Sequence, residues 1–263
     1  VGLKVSYGRV SRFGVTAFAS SFDTIGHMAL TVEDAARILQ VTAGKDDYDG
    51  TAPDVPVQDY LEELGKNVKG LKVGVPKEFF AEGIDEETKV RVKEQIAKLK
   101  KLGAKVTEVS LPSMKYAMAV YYVLTPTELS ANLGRFDGVR FGSKPSTQTK
   151  DLYEYYCAVR AEGFGDEVKR RIMIGTYVSS AGYVDAYYKK AQKVRTVIIN
   201  DFKKLFEKVD VLIGPVTPRP AFKIGENIND PVAMYMEDLL VSPASCAGLS
   251  AISIPSGFNS AGL

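Results

Sequence analysis

The sequence predicts an α/β protein, and three observations carry that expectation. A strand, a helix and a second strand follow one another within residues 70–112; a long amphipathic helix occupies the residues after Ser180; and apolar strand-like runs at 210–215 and 251–254 enclose a further helical stretch. At 263 residues, with 45% hydrophobic and 25% charged residues, the chain has the composition of a globular protein with a proper core. One domain spanning residues 1–263 is expected.

Residues 1–30 are rich in Gly, Ser and aromatic residues, with turn signals at Tyr7-Gly8, Phe13-Gly14 and Ile25-Gly26, and read as irregular structure with short strands. Thr31 with Asp34 three residues on resembles a capping box, which starts a helix that Gly44 closes. A surface loop follows to residue 58. Leu71-Lys72-Val73-Gly74-Val75 is then a short apolar strand ending at Pro76. The next helix begins after Asp85, carries Val92, Ile96 and Leu99 on one face and stops at Gly103. Val106-Thr107-Glu108-Val109 returns as the second strand, which makes a βαβ unit in a parallel or mixed sheet.

Residues 114–207 read as mostly helical. In the longest element Tyr183, Tyr187, Ala191, Val194, Ile198, Phe202 and Leu205 recur in steps of three and four and define one buried face. The opposite face carries Lys189, Lys190, Lys193, Lys203 and Lys204, which is the pattern of a solvated face. A buried strand is expected at 210–215, a helix over 231–240 and a final buried strand over 251–254.

Lys and Arg number 34 against 32 Asp and Glu, so a formal charge of +2 creates no global field for nucleic acid or a membrane surface. Cys157 and Cys246 stand in no CxxC pair, and no run of apolar residues is long enough to span a bilayer. Phosphate-loop, dinucleotide and GxSxG patterns are absent. His27, the single histidine, follows Gly26 and reads as a loop residue. The serine pairs Ser20-Ser21 and Ser179-Ser180 read as turn and cap residues. From these features alone the function stays open.

Longer blocks narrow it. Tyr7-Gly8-Arg9-Val10-Ser11-Arg12-Phe13-Gly14, Ala17-Phe18-Ala19-Ser20-Ser21-Phe22-Asp23-Thr24-Ile25-Gly26, Asn132-Leu133-Gly134-Arg135-Phe136-Asp137-Gly138-Val139-Arg140 and Asp185-Ala186-Tyr187-Tyr188-Lys189-Lys190-Ala191 make the chain resemble the amidase signature family. Within it, the resemblance is to the glutaminase subunits of tRNA-dependent amidotransferases. It departs at Val5-Ser6, where the family usually has Pro-Thr, and at His27, where it usually has Pro.

The resemblance implies an α/β amidase signature fold with a mixed, mostly parallel central sheet flanked by helices, present as the middle and C-terminal portion and truncated at both ends. It implies amide hydrolysis by a serine nucleophile, a second serine and a lysine, all expected before Val1, so that no catalytic residue lies in this chain and the chain alone is inactive. Tyr121, Arg171 and Asp238 are the implied glutamine contacts, with Arg170 as the alternative to Arg171. A guanidinium can grip an α-carboxylate bidentately, and a carboxylate can accept from an α-ammonium.

The implied protein is cytoplasmic and supplies ammonia from glutamine to convert Glu-tRNA(Gln) to Gln-tRNA(Gln). It does so within a heterotrimeric ligase beside the B and C subunits of the amidotransferase, where ATP, magnesium and most of the tRNA contact belong to the B subunit. No cofactor, metal or membrane is expected for the glutaminase subunit itself. Alternatives are a hydrolase of small or aryl amides and a catalytically silent binding scaffold.

Overall fold

The computed structural model describes residues 1–263 and contains eight α-helices and six short strands. They pack as two compact units. The first comprises Val1–Phe13, Thr24–Met118 and Arg195–Leu263, and the second Gly14–Asp23 and Ala119–Val194.

The first unit holds both sheets. β3 (Lys72–Pro76) lies between β4 (Lys105–Val109) and β5 (Val211–Leu212), parallel to each, with Val73 opposite Val106 on one side and Val211 on the other. Val73, on the central strand, is 0% exposed. Helix α2 (Glu86–Lys101) supplies the crossover between β3 and β4, as the apolar spacing predicts. The Asp85 carboxylate accepts from the Thr88 N–H at 2.8 Å and so caps the helix. Val92 and Ile96 are buried on the face toward the core. The far end closes in a Schellman motif: Ala104 N–H donates to Leu99 O and Gly103 N–H to Lys100 O, both at 3.0 Å, with Gly103 at φ +93°.

The second sheet is antiparallel. β1 (Gly2–Lys4) is its centre, flanked by β2 (His27–Met28) and β6 (Ala251–Ser253). The α/β fold expected from the sequence is present, with its strands in one wholly parallel and one wholly antiparallel three-stranded sheet. β5 is only two residues long, and Gly214-Pro215 end it before another strand could pair along it: Pro215 has no N–H to give, and the Phe79 ring comes within 2.1 Å of the place a Gly214 Cβ would take. The two runs expected to be buried strands are also less buried than their apolar composition suggests, because each sits at a sheet edge. Val211 is 40% exposed, and Ile252 and Ile254 are 47% and 55% exposed.

Thr31 caps α1 (Val32–Thr42) through a 3.0 Å bond from Asp34 N–H, and its own hydroxyl donates to the Asp34 carboxylate at 2.7 Å. His27 belongs to β2 rather than to a loop. Its ring is buried, and Nε2 lies 3.0 Å from Thr42 Oγ1, a tie between β2 and the end of α1. Lys4 Nζ donates to Leu249 O at 2.7 Å and Val5 O at 3.2 Å, and burial lowers its pKa. Two carbonyl acceptors make this lysine a structural clamp for β1.

The helical region expected over 114–207 is interrupted. Its helices are α3 (Ala117–Asn132), α4 (Leu152–Gly163), α5 (Asp166–Ser179) and α6 (Lys190–Phe206), with irregular chain over 136–151 and a π-helical turn at Asp185–Lys189 before α6. Ala191, Ile198, Phe202 and Leu205 are buried as the periodicity predicts, but Tyr183 and Tyr187 are exposed and group with Tyr177, because the π turn rotates their face out of register with α6. The five lysines opposite are exposed.

The helix expected over 231–240 is likewise shorter. α7 (Pro231–Met236) gives way to successive three-residue turns, with Asp238 N–H donating to Tyr235 O at 3.0 Å and Leu239 N–H to Met236 O at 3.1 Å. A separate α8 (Ser242–Cys246) then begins, with Pro243 in its first turn.

Candidate amino-acid binding site

In the second unit, α3, α5 and the segment 14–23 bring an arginine and four aromatic rings together. α3 carries Tyr121 and Tyr122, whose rings meet edge to face at 5.1 Å. Pro126 interrupts this helix internally and cannot donate to the carbonyl four residues back. On either side of it, the Thr125 and Thr127 hydroxyls donate back to Tyr121 O at 2.8 Å and Val123 O at 2.7 Å. α5 approaches the same stretch so closely that a Cβ on Gly175 would stand 1.9 Å from Pro126 O.

α5 presents Glu167, Arg170 and Arg171 one turn from its start. Arg171 Nε donates to Glu167 Oε1 at 2.8 Å, and its guanidinium lies 5.5 Å from the Tyr122 ring centre and 5.9 Å from that of Phe18. The Arg171 side chain is 19% exposed and that of Arg170 44%; Arg170 also pairs with Glu167. Of the two arginines, Arg171 is the more buried, and it lies beside the Phe18 and Tyr122 rings. A guanidinium held between ring faces keeps its planar fork oriented, and partial burial strengthens its attraction for an anion.

Tyr121 makes an edge-to-face contact with Phe22 at 5.6 Å. Its neighbour Tyr122, which the sequence does not single out, lies beside the Arg171 guanidinium. Adjacent residues on a helix point about 100° apart, and nothing in Tyr121-Tyr122 marks which one faces α5.

Asp238 lies in the first unit, in the turn between α7 and α8, where its carbonyl accepts from Ser242 N–H at 2.9 Å. The preceding Glu237 accepts from Arg219 Nε at 3.0 Å. The structure thus gathers Tyr121 and Arg171 within one unit, and Asp238 belongs to the other. No group of three or more His, Cys, Asp or Glu side chains could hold a metal ion. Cys157 is exposed and Cys246 is buried with its Sγ 3.7 Å from Ala117 O; burial raises the Cys246 pKa to about 12, which leaves an inert thiol. No helix is long and apolar enough to cross a membrane.

An α/β fold with a parallel βαβ sheet and flanking helices defines the fold class, and comparison with known proteins identifies the family. A family model described as Amidase matches residues 1–263, and the chain belongs to that family. It is 57% identical over 258 residues to the A subunit of Glutamyl-tRNA(Gln) amidotransferase from Geobacillus kaustophilus, an overlap of 98% of this chain and 53% of that protein. It is 53% identical to the protein of the same name from Thermodesulfovibrio yellowstonii, over 100% of this chain and 54% of the relative. The crystal structure of the A subunit of Glutamyl-tRNA(Gln) amidotransferase from Thermotoga maritima matches with a TM-score of 0.77 and 40% identity, covering 98% of this chain and 51% of that one. The chain spans about half the length of the relatives it matches.

Proposed function

We propose that these residues form the substrate-gripping part of a glutamine-hydrolysing amidotransferase subunit, which supplies ammonia for the conversion of Glu-tRNA(Gln) to Gln-tRNA(Gln). The observation that carries this reading is the 57% identity to the A subunit of a Glutamyl-tRNA(Gln) amidotransferase, sustained over 98% of the chain. The family match runs unbroken over residues 1–263, which favours assigning both compact units to one amidase domain.

In this reading the side-chain amide of glutamine is attacked by a serine, ammonia leaves, and water hydrolyses the resulting acyl-enzyme. In the same reading the nucleophile, the second serine and the lysine are supplied by the rest of the protein, and this chain alone is inactive. Arg171 grips the α-carboxylate, Asp238 accepts from the α-ammonium, and Tyr121 lines the site, with the Tyr122 ring 5.5 Å from the guanidinium. Recognition of both α-groups selects a free amino acid over a bare amide. The B and C subunits of the amidotransferase are the partners, with ATP, magnesium and most tRNA contact on the B subunit, in the cytoplasm.

The test joins this chain to the part of the Geobacillus kaustophilus protein that it does not span, and measures ammonia release from glutamine. Arg171→Lys keeps the charge but loses the bidentate fork, so KM for glutamine should rise about tenfold or more while hydrolysis of a simple amide is unchanged. An unchanged KM for glutamine would remove Arg171 from the site and favour a hydrolase of simple amides. Glutamine hydrolysis by this chain alone would refute the placement of the nucleophile.

A further inference from the structure

Phe18 and Phe22 bring rings to Arg171 and Tyr121, yet residues 14–23 contain no regular secondary structure that would fix where those rings point. Two α3 side chains one helical turn apart do the fixing. Glu128 accepts from the Ser21 N–H at 2.8 Å through one carboxylate oxygen and from the Ser21 hydroxyl at 2.5 Å through the other. Asn132 donates to Phe18 O at 3.1 Å and to Ser20 Oγ at 3.0 Å. Within the segment, the Asp23 carboxylate accepts from the N–H groups of Phe18 and Ala19, each at 3.0 Å, and Ala19 is fully buried. α3 therefore bears Tyr121 and Tyr122 and also clamps the stretch that bears the other two rings.

We propose that Glu128 is a positioning residue for the amino-acid grip of Arg171. By clamping Ser21 it holds Phe18 where that ring, with Tyr122, orients the guanidinium toward an incoming α-carboxylate. Bonds to an ionised carboxylate are stronger than neutral ones, so the Glu128 clamp dominates over the amide of Asn132. Loosening it lets the Phe18 ring drift and the fork swing. Affinity for the α-carboxylate falls, while the chemistry at the side-chain amide proceeds once substrate is bound. The inference rests on the reading of Arg171 as the carboxylate ligand.

The experiment uses the same restored full-length protein. Glu128→Ala should raise KM for glutamine about tenfold with kcat within about twofold, and Glu128→Gln, which keeps one acceptor oxygen, should recover much of the loss. Hydrolysis of a simple amide without an α-carboxylate should be unaffected by either change, which a general loss of structure would not allow. If Glu128→Ala does not fold, Ser21→Ala and Asn132→Ala take its place, each expected to raise KM severalfold. A KM unmoved by these substitutions, or a fall in kcat for both substrates alike, overturns the proposal. Arg171→Lys separates the two failures: if it raises KM and the Glu128 variants do not, only the positioning role falls, whereas if it too has no effect, the carboxylate site and the role of Glu128 fall together.

Discussion

A carboxylate that accepts four hydrogen bonds gains little from taking a proton. Glu162, on α4, accepts from the Ser146 N–H at 2.7 Å and hydroxyl at 2.8 Å, and from the Thr147 hydroxyl at 2.7 Å and N–H at 3.2 Å. Those donors, the Ser146 N–H foremost, lower its pKa from 4.5 to about 2. A carboxyl depressed in the folded state contributes stability above its unfolded pKa and loses it as pH falls through the folded one. The latch on residues 146–147 should therefore be intact at pH 5 and weaken between about 4.5 and about 2. In a carbon-13 titration the Glu162 carboxyl should stay ionised at pH about 3, where exposed glutamates are protonated; a midpoint near 4.5 would contradict the latch. The same scale sets the limit of what could be read from sequence. Arg170 and Arg171 sit three and four residues after Glu167, so either can pair with it, and only the packing of α5 shows that Arg171 is the more buried of the two and lies beside the Tyr122 ring.

Elements were legible where the chain carries local punctuation. Asp85 and Gly103 bracket α2, Thr31 opens α1, and each makes the cap bond its type predicts. The misread elements are those decided by contacts distant in sequence or by backbone choices that periodicity does not encode: the π turn before α6, the break after Met236, and the edge positions of β5 and β6. The candidate site was legible only through family resemblance, since its rings are ordinary aromatic residues until α3 and α5 meet. That meeting depends on Gly175. A methyl group there would stand 1.9 Å from Pro126 O and 2.9 Å from Ser130 Oγ, so α5 would have to withdraw from the stretch of α3 that follows Tyr122. Gly175→Ala should cost about 2–4 kcal/mol and lower the melting temperature by roughly 5–15 °C. Gly163→Ala, at the end of α4 with no atom within 4 Å of its added carbon, is the control and should be neutral or slightly stabilising. Equal melting temperatures for the two variants would mean that α3 and α5 do not pack as closely as the structure places them.

For the chain as a whole, the antiparallel sheet is the weak point. β2 and β6 are both edges, and around them Met28 is 90% exposed, Leu30 96%, Ile252 47% and Ile254 55%. Apolar side chains beside unpaired strand groups form a template for a further strand, and β6 itself, Ala251–Ser253, is exposed and contains no proline. A net charge of only +2 gives little repulsion to keep copies apart. Residues 1–263 expressed alone should therefore associate as concentration rises through the micromolar range, giving larger species in sedimentation velocity and binding of a hydrophobic dye. Ile252→Lys and Met28→Lys place charges on the two edges and should shift the distribution toward monomer without lowering the melting temperature, because neither side chain is in the core. Joined to the part of the Geobacillus kaustophilus protein it does not span, the chain should lose this association if that part covers the sheet. A monomeric profile for residues 1–263 at about 100 µM, with no dye binding, would show that these exposed apolar groups are tolerated as they stand.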